Sequence, residues 1–447
     1  MKNLLSLTLI TATLVIDCLH VSAKQWTLQE CINYAMQNNI QLQKSRIQQQ
    51  SSSEGVKGAR AALLPSLSAS TNQQFGYTPF MESQVYVSGS QVYNGSKKTS
   101  YSGNYGLNVN WTAWNGSKNY NTLKQQKIAE QQAELQTQVT ANSIQEQLAQ
   151  YYVQILYSKE AVVVNKEMLS MSKQNLERGQ EMYKVGSIAK AELAQLESQV
   201  ASDEYDLVSS EGQLATYKLQ LKQLLELDGM EEFDIIDPAS ADAQALAVIP
   251  SVNDVYTTAL MQRPEIKNSN LSIESSELDI KLAKAGILPN ISLSASVGAN
   301  TSSRSQDNWG EQMKTGLNGS VGVNVSIPIF DNRSTRTAVN KAKLSKESQQ
   351  LELDNQKKEL WRSIETYWVD ATTNQARFKS ATSSVASAKT SYELLSEQYK
   401  VGLKNITDLL NGKNTLLQSE QNRLQSKYMT ILDIQLLKFY MGENVAF

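Results

Sequence analysis

The tetrapeptide Tyr183-Lys184-Val185-Gly186 occurs again, unchanged, as Tyr399-Lys400-Val401-Gly402, 216 positions further along the chain. The same offset aligns Trp114-Asn115-Gly116 with Phe330-Asp331-Asn332. Two matches at one offset in a chain of 447 residues indicate an internal duplication. The duplication favours a fold built from two similar halves.

The duplication also sets the expected domain boundaries. Residues 63–68 align with 287–292 at an offset of 224, so the first copy carries eight additional residues, which we place within 76–100. Three segments are expected: a first repeat, 24–226, a linking segment without clear heptads, 227–251, and a second repeat, 252–447. Each repeat predicts a helix, two strands, a long helix and a further helix. The strands and the last two helices are expected at about 66–77, 101–114, 117–184 and 188–226 in the first repeat, and at about 290–301, 316–329, 332–400 and 404–441 in the second.

The first 23 residues have the three parts of a secretory signal peptide. A basic start, Met1-Lys2-Asn3, precedes the apolar run 4–15, and Val21-Ser22-Ala23 supplies the small residues after which we expect cleavage. The charged Asp17 stands before Cys18, where a lipid-attachment motif requires a small residue. The sequence therefore disfavours lipidation of Cys18.

The composition excludes several kinds of chemistry. Once Cys18 and His20 are removed with the signal, Cys31 is the only cysteine and no histidine remains. We therefore expect no disulfide within the chain, no His–Cys zinc site, and neither a Ser-His-Asp triad nor a Cys-His dyad. The sequence predicts no enzyme, no cofactor and no metal site. With 42 basic and 44 acidic side chains, the chain also lacks the field that would attract nucleic acid.

The hydropathy of the chain disfavours membrane-spanning helices. Beyond the signal, no apolar run reaches the roughly 18 residues that such a helix needs, and the mean hydropathy is −0.40. If the chain crosses a membrane, it is expected to do so as strands, because only helices and closed barrels satisfy their backbone polar groups inside lipid.

A period-two alternation of apolar and polar residues predicts four strands. The apolar members are Ile291, Leu293, Ala295, Val297 and Ala299, then Val321, Val323, Val325 and Ile327, in the second repeat, and Leu107, Val109 and Trp111, with a weaker set at Leu67, Ala69, Thr71 and Phe75, in the first. Such strands also occur in soluble sandwiches, but the small polar residues between them suit a barrel lumen, and aromatic residues near the strand ends suit membrane interfaces. Because four strands are too few to close a membrane barrel, the chain is expected to oligomerise.

The long proline-free segments predict coiled helices. Residues 117–182 would form a helix about 100 Å long at 1.5 Å per residue. A seven-residue apolar stripe runs through Leu148, Ile155, Val162, Leu169, Leu176 and Tyr183, and again through Ile364, Ala371, Phe378, Val385, Tyr392 and Tyr399. The stripe resumes at Leu193, Val200, Leu207, Leu214 and Leu221, and at Leu403, Leu410, Leu417, Leu424 and Ile431. Gly186 and Gly402 are expected to turn the chain at hairpin tips, and the polar residues between the stripes predict a solvated surface.

These elements, in this order, resemble the TolC-like outer membrane efflux protein family over essentially the whole mature chain. The matching motifs are Leu28-Gln29-Glu30-Cys31-Ile32-Asn33-Tyr34-Ala35, the joints Leu64-Pro65 and Leu288-Pro289, Pro328-Ile329-Phe330-Asp331 after the last strand, and Tyr399-Lys400-Val401-Gly402 with Thr407-Asp408-Leu409-Leu410. Each motif alone is weak, whereas their order, spacing and duplication together are specific.

The resemblance implies a mainly α-helical fold with a β-barrel. Three copies would share one twelve-stranded transmembrane barrel, four strands from each chain, which continues as an α-helical tunnel across the periplasm. Residues 227–251 would contribute to a short mixed domain around that tunnel. The implied function is a passive exit duct of a tripartite efflux pump or a type I secretion system in a Gram-negative outer membrane. The implied partners are a periplasmic adaptor, an inner-membrane pump reached through it, and outer-membrane lipid.

The resemblance also implies a gate at the periplasmic tip. The matching positions are Glu192 at the first tip and Tyr399, Lys404 and Asp408 at the second. Asn411 stands where better-known members carry a second acidic residue. The sequence therefore does not decide which ions the closed tip would select. The residues expected to contact the adaptor are Val185, Gly186, Val401 and Gly402.

A different class of protein fits part of the same pattern. A non-channel trimeric coiled-coil surface or structural protein would also show long heptads. The strands that interrupt the helices in both repeats disfavour it, since a fibre would keep its heptads continuous or place its strands at one end. The exported substrate, the choice between drug efflux and protein secretion, and the identities of adaptor and pump are left open by the sequence.

Overall fold

The computed structural model describes residues 24–80, 84–88, 91–95, 98–228, 233–237, 241–305 and 307–445, so the predicted signal peptide, 1–23, lies outside the described residues. The first half contains β1 (Lys24–Trp26), α1 (Leu28–Asn38), α2 (Ile40–Ala61), β2 (Ser66–Tyr77), β3 (Gln84–Ser88), β4 (Gln91–Gly95), β5 (Thr99–Asn115), α3 (Lys118–Lys184) and α4 (Lys190–Leu225). The second half contains β6 (Phe233–Ile235), α5 (Ala241–Ala245), α6 (Val252–Gln262), α7 (Pro264–Lys284), β7 (Asn290–Ser302), α8 (Trp309–Thr315), β8 (Asn318–Ser326), α9 (Ser334–Lys400) and α10 (Ile406–Tyr440). The predicted fold class, mainly helical with a small set of strands, is confirmed.

Each repeat begins with two helices where the sequence predicted one. α1 and α2 separate at Asn39, whose backbone is extended (φ −60°, ψ 125°) and whose side chain accepts a hydrogen bond from the Leu42 amide at 3.1 Å. Arg263, at the equivalent position of the second repeat, is also extended (φ −64°, ψ 129°). It precedes Pro264, and a residue before proline avoids the helical region. The prediction of one helix was wrong because both breaks come from single residues inside continuous helical patterns.

Four strands form one antiparallel sheet in the order β2-β5-β7-β8. The central pair, β5 and β7, joins the two repeats and places Leu107 opposite Val297. The next pair places Leu293 opposite Val323, so the alternating apolar residues of neighbouring strands share one face. That face is uncovered in a single chain, where Val321 is 82% exposed. Within the described residues, β2 and β8 pair along one edge only. The sheet therefore offers an apolar face and two open edges.

The connections at the far end of the sheet differ from a simple pair of loops. The longer connection of the first repeat contains the hairpin β3–β4, within the segment that holds the eight extra residues. In the second repeat, α8 occupies the connection and begins at Asn308, whose side chain accepts from the Glu311 amide at 2.9 Å. The predicted last strand, 316–329, is shorter at both ends, since α8 precedes it and Pro328 cannot donate a sheet hydrogen bond.

The segment between the repeats is attached to the start of the described chain. β6 pairs in parallel with β1, with Trp26 opposite Ile235. The Tyr152 hydroxyl donates to the carbonyl of Ile236 at 2.7 Å, which fixes this small sheet against the middle of α3. Ile235 is fully buried in the largest apolar cluster of the chain. Residues 233–237 therefore belong to a mixed layer beside the long helices.

The long helices pair as two hairpins. α3 and α9, each of 67 residues, pack along α4 and α10, respectively. We call α3–α4 the first hairpin and α9–α10 the second hairpin. Gly186 (φ 78°) and Gly402 (φ 73°) reverse the chain between the two helices of each, and the amide that follows each glycine bonds back to the last helical turn. Among the described helices, none has a stretch that is long and apolar enough to cross a membrane.

The predicted apolar stripes are buried over most of their length but not at the tips. Buried members include Leu148, Ile155, Val162 and Leu169 of α3, and Ile364, Ala371, Phe378, Tyr392 and Tyr399 of α9. Tyr183 and Leu403 were expected to be buried and are exposed, Leu403 by 75%. Leu403 lies in the turn before α10 begins, and the buried side of α10 instead starts at Ile406 and Leu409. An α-helix has about 3.6 residues per helical turn, so a stripe with a seven-residue step drifts slowly around the helix. The stripe of α9 therefore cannot be continued unchanged through the chain reversal into α10.

The two hairpins contain the same close contact in reversed order. Gly179 of α3 faces Leu196 of α4, and a Cβ at position 179 would lie 2.3 Å from a terminal methyl group of Leu196. In the second hairpin the equivalent positions are Leu395 of α9 and Gly412 of α10, and a Cβ at position 412 would lie 2.6 Å from a methyl group of Leu395. One leucine fills the space above one glycine in both cases. The volume of the pair is conserved, but the helix that carries the larger side chain changes.

This reversal predicts the outcome of a leucine exchange. Gly412→Leu should destabilise the second hairpin by about 1–3 kcal/mol, because two leucines then compete for one space. Adding Leu395→Gly recreates the arrangement of the first hairpin and should recover most of that loss, less about 1 kcal/mol for a glycine inside a helix. Thermal unfolding followed by circular dichroism measures both. Gly212→Leu is the control, since a Cβ at position 212 meets no atom within 4 Å. Equal losses in the single and double variants would contradict the packing described.

A carboxyl group is buried between the helices of the second hairpin. Asp433 of α10 is 7% exposed, and its Oδ2 accepts a hydrogen bond from the Asn374 amide group at 3.3 Å. Burial raises the pKa of Asp433 from 3.8 to about 7, against the hydrogen bond from Asn374 and with a smaller contribution from the charge of Asp370. The folded chain therefore holds a proton here that the unfolded chain releases. The support that this proton gives to folding is complete below about pH 4 and is lost as the pH rises through about 7.

Asp433→Asn should accordingly stabilise the chain in a pH-dependent way. The amide stays neutral, so the variant avoids a buried charge above pH 7 and should gain on the order of 2 kcal/mol near pH 8. Near pH 5 the gain should be clearly smaller but not absent, because the folded wild-type carboxyl is protonated there while the unfolded one is ionised. Thermal midpoints at the two pH values test this. Asp354→Asn, at an exposed carboxylate of α9, should show no such pH dependence.

Candidate functional site

The candidate site is the end of the two hairpins at which the turns lie. Val185 and Val401 occupy the turns and are exposed, although both are apolar. A Cβ at Gly186 or Gly402 would meet no atom within 4 Å, so the glycines are required by their positive φ and not by lack of space. The turns therefore present small apolar surfaces without steric obstruction.

The second tip carries a close ion pair. The Lys404 Nζ lies 3.4 Å from the Asp408 Oδ2, one helical turn apart, and both side chains are more than a third exposed. The Asp408 amide donates to the Asn405 side chain at 2.8 Å, which caps α10, and the Asp408 carboxylate lies in the first turn, where the helix dipole favours a negative charge. An exposed pair of this kind contributes about 0.5 kcal/mol. It is weak enough for another surface to replace.

Tyr399 is the buried member of the predicted set. Its side chain is 2% exposed, and its hydroxyl has no hydrogen-bond partner among the described residues. Burial raises the pKa of Tyr399, and the negative charge of Glu192 on α4 raises it further, which places the two predicted residues near each other. A buried hydroxyl without a partner costs about 1–3 kcal/mol. The Tyr399 hydroxyl is therefore buried at a cost in this arrangement of the tip, and another group reaches it only if the surrounding side chains move.

Two of the five predicted gate residues are in contact, the charge of a third acts on a fourth, and the fifth, Asn411, lies apart from them. Lys404 and Asp408 are in contact, and the negative charge of Glu192 contributes to the raised pKa of Tyr399. Asn411 is exposed one turn beyond Asp408, and its backbone carbonyl accepts from the Thr415 hydroxyl at 2.8 Å. Asn411 thus lies on the same helix as the ion pair without entering it.

The sequence reading missed a buried charged cluster close to the tip. Lys413 of α10 is fully buried, and its Nζ forms an ion pair with the Asp203 Oδ2 of α4 and donates to the Ser172 hydroxyl of α3 at 2.7 Å. The other oxygen of Asp203 accepts from the Gln199 amide group at 3.0 Å. The general expectation of a solvated surface for the polar residues between the stripes does not hold at Lys413, which is fully buried. Position 413 lies on the buried side of α10 four residues after Leu409, and that phase was the signal available.

Two further hydrogen bonds connect the hairpins on the tip side of this cluster. The Asn175 amide group donates to the Tyr392 hydroxyl at 3.0 Å, and Arg178 donates to the Ser396 hydroxyl at 3.3 Å. Ser172, Asn175 and Arg178 lie on successive turns of α3. Hydrogen-bonded polar side chains therefore accompany the apolar contacts between the hairpins near the tip.

The described residues offer no site for cofactor chemistry. No group of three or more His, Cys, Asp or Glu side chains is placed to hold a metal among them. A cavity of about 880 Å³ is an open groove along α9 and α10. Its lining is mostly small and polar, with Thr372, Asn374, Ser380, Ser384, Asn422 and Gln425 among its residues. Such a surface suits water and mixed solutes better than one tightly bound ligand.

Comparisons with known proteins agree with this geometry. The family model described as outer membrane efflux protein matches residues 31–226 and 255–443. Outer membrane efflux protein BepC of Brucella suis is 23% identical over 409 residues, covering 91% of this chain and 83% of BepC. Outer membrane protein TolC of Vibrio cholerae is 22% identical over 427 residues, covering 94% of this chain and 92% of that protein. The crystal structure of the CmeC outer membrane channel of Campylobacter jejuni, 20% identical, matches with a TM-score of 0.76 over 93% of this chain and 86% of CmeC. The chain therefore belongs to the outer membrane efflux protein family, as its motifs predicted, and is a protein of the Gram-negative outer membrane that extends into the periplasm.

Proposed function

We propose that three copies of this chain form a passive exit duct through the outer membrane and the periplasm, closed at the tips of its helical hairpins. The observation that carries this proposal is the four-stranded sheet, which has an apolar face, a small polar face and two open edges. A membrane sheet needs about eight strands or more to close. Three copies supply twelve strands, and joining β8 of one copy to β2 of the next leaves no edge.

The two faces of the sheet assign the sides of the duct. The face that carries Leu107, Val297 and Val323 would contact lipid, and the opposite face, with Ser, Asn and Gly, would line a water-filled lumen. The hairpins continue from the sheet and would enclose the periplasmic part. The lumen contributes passage, and the energy for export comes from a pump in the inner membrane.

The tips fit a docking and gating role. The exposed Val185 and Val401 present an apolar surface for a periplasmic adaptor, which would link the duct to its inner-membrane pump. Lys404, Asp408 and Glu192 would hold the tips of neighbouring copies together, and the buried Tyr399 hydroxyl, which has no partner among the described residues, would gain one as the tip side chains rearrange on assembly. Each of these contacts is worth about 1 kcal/mol, so the set can be opened by a docking partner.

The proposal predicts that weakening the second tip opens the duct. Tyr399→Phe with Lys404→Ser removes contacts worth about 2 kcal/mol and should raise the open fraction by more than about tenfold. Purified protein, shown to be a trimer by chemical cross-linking, is reconstituted in a planar bilayer, and conductance is recorded. The matched control is Tyr183→Phe with Lys184→Ser at the first tip. Tyr183 is exposed, and the ion pair between Lys404 and Asp408 lies on the second hairpin, so the control leaves that pair intact.

The possible results separate the parts of the proposal. Discrete conductance steps that grow in the double variant and not in its control support a gated duct. Trimers that conduct equally in all three forms leave a duct but remove this gate. Trimers that never conduct, even in the double variant, overturn the duct, and a monomer recovered from the soluble periplasm overturns the shared barrel.

A further inference from the structure

The buried cluster of Lys413, Asp203 and Ser172 joins both hairpins at one level. Lys413 belongs to the second hairpin, whereas Asp203 and Ser172 belong to the two helices of the first. Lys413 is fully buried and Asp203 is 3% exposed, so neither charge meets solvent in the closed arrangement. The cluster lies eleven residues after Gly402, about 16 Å along the helix from the second tip.

Every polar atom that the cluster orients has a partner. The Lys413 ammonium contacts a carboxylate and a hydroxyl, and the Asp203 carboxylate receives a second hydrogen bond from Gln199. Leu409, which is fully buried, and Leu416, which is 2% exposed, lie about one helical turn to either side of Lys413 on α10. The charged contact thus lies between apolar levels of the seam, which elsewhere also carries the Asn175–Tyr392 hydrogen bond and the Lys427–Glu160 ion pair between the hairpins.

The cluster is absent from the equivalent place in the other half of the duplication. At the offset of 216, Lys413 corresponds to Glu197, Asp203 to Ser419, and Ser172 to Ala388. The Ser419 hydroxyl lies 3.0 Å from the Ser384 hydroxyl, so that position makes a small neutral contact within one hairpin. The Lys413–Asp203 contact therefore has no charged counterpart at the equivalent positions of the duplication, and it acts between the hairpins.

A buried ion pair and an apolar contact differ in what happens when the surfaces part. Separating apolar surfaces exposes them to water at a cost that grows with area. Separating a buried ion pair returns both charges to water and recovers their desolvation, so that its net strength is small while the intact pair is strictly oriented. An ion pair in a seam therefore fixes one alignment and still allows the seam to open.

We propose that the Lys413–Asp203–Ser172 cluster is the latch at which the second hairpin parts from the first when the duct opens. The latch rests on the proposed gating function, and it places a positioning element inside each chain, behind the exposed contacts of the tip. It aligns α10 on α3 and α4 in the closed state, and its charges become hydrated as α10 moves away.

The test replaces the ion pair by an apolar pair of similar volume. Lys413→Met with Asp203→Leu should give trimers with a thermal midpoint at or above that of the wild type, since such replacements of buried ion pairs are often neutral or stabilising. Placed in the Tyr399→Phe, Lys404→Ser background, the apolar pair should lower the open fraction by at least about tenfold, because parting now exposes apolar surface. Lys413→Met alone leaves the Asp203 charge buried and unpaired and should raise the open fraction of the otherwise wild-type duct.

Matched controls separate a latch from a merely structural contact. Lys173 and Glu204 form an exposed ion pair at 2.9 Å within the first hairpin, and Lys173→Met with Glu204→Leu should leave conductance unchanged in the same background. The exchanged pair, Lys413→Asp with Asp203→Lys, keeps one positive and one negative charge and should open as readily as the background. If the apolar pair does not assemble, the exchanged pair and the single variant still decide the matter by the ordering of their open fractions.

Conductance recordings distinguish a failure of the latch from a failure of the duct. If the tip background itself never conducts, the proposed duct has failed. If the background conducts and the apolar pair opens as readily as it does, or if Lys413→Met leaves the open fraction unchanged, the latch is overturned while the duct stands. Suppressed opening with intact, stable trimers is the result that supports the latch.

Discussion

A backbone that crosses lipid must satisfy all its hydrogen-bonding groups within protein, and this constraint governs the rest of the molecule. The sheet of this chain satisfies its two inner strands and leaves the outer edges of β2 and β8 open within the described structure. Its apolar face is equally unfinished, because hydrophobic side chains are exposed along all four strands. The proposed assembly of three copies would close the edges and place this face against lipid. The assembly that closes those edges also sets the symmetry with which the duplicated helices are arranged.

Much of this architecture could be predicted because it depends on repetition. A strand with one lipid-facing side must alternate every second residue, and Leu293, Ala295 and Val297 do so in register with their neighbours. A helix about 100 Å long must lack proline, and its tip must contain a residue that tolerates positive φ, as Gly186 and Gly402 do. Patterns of this kind are set by local geometry and survive without knowledge of the partners.

What could not be predicted depends on single residues and on distant partners. Asn39 ends a helix by capping the next one, whereas Arg263 does so only because a proline follows, and no shared motif marks the two sites. Leu403 follows the heptad count, yet the turn before α10 resets the phase and leaves it exposed. Lys413 is fully buried, whereas lysine is rarely fully buried unless it is paired. Its partner is 210 residues away, and sequence spacing carries no record of that contact.

The two halves of the chain differ most at the positions where the proposed opening would require different contacts. The Gly179–Leu196 and Leu395–Gly412 contacts keep the same packed volume in reversed order, so neither hairpin is loosened within itself. The charged residues do not follow this rule, since Lys404 and Lys413 both lie on α10 and their equivalents in the first hairpin are Ile188 and Glu197. A seam that moves benefits from contacts that regain water on parting, whereas a seam that stays closed benefits from packed leucines. Each hairpin keeps one packed glycine–leucine contact of its own, and the buried Lys413–Asp203 ion pair lies where one hairpin meets the other, whereas the Lys173–Glu204 pair within the first hairpin is exposed.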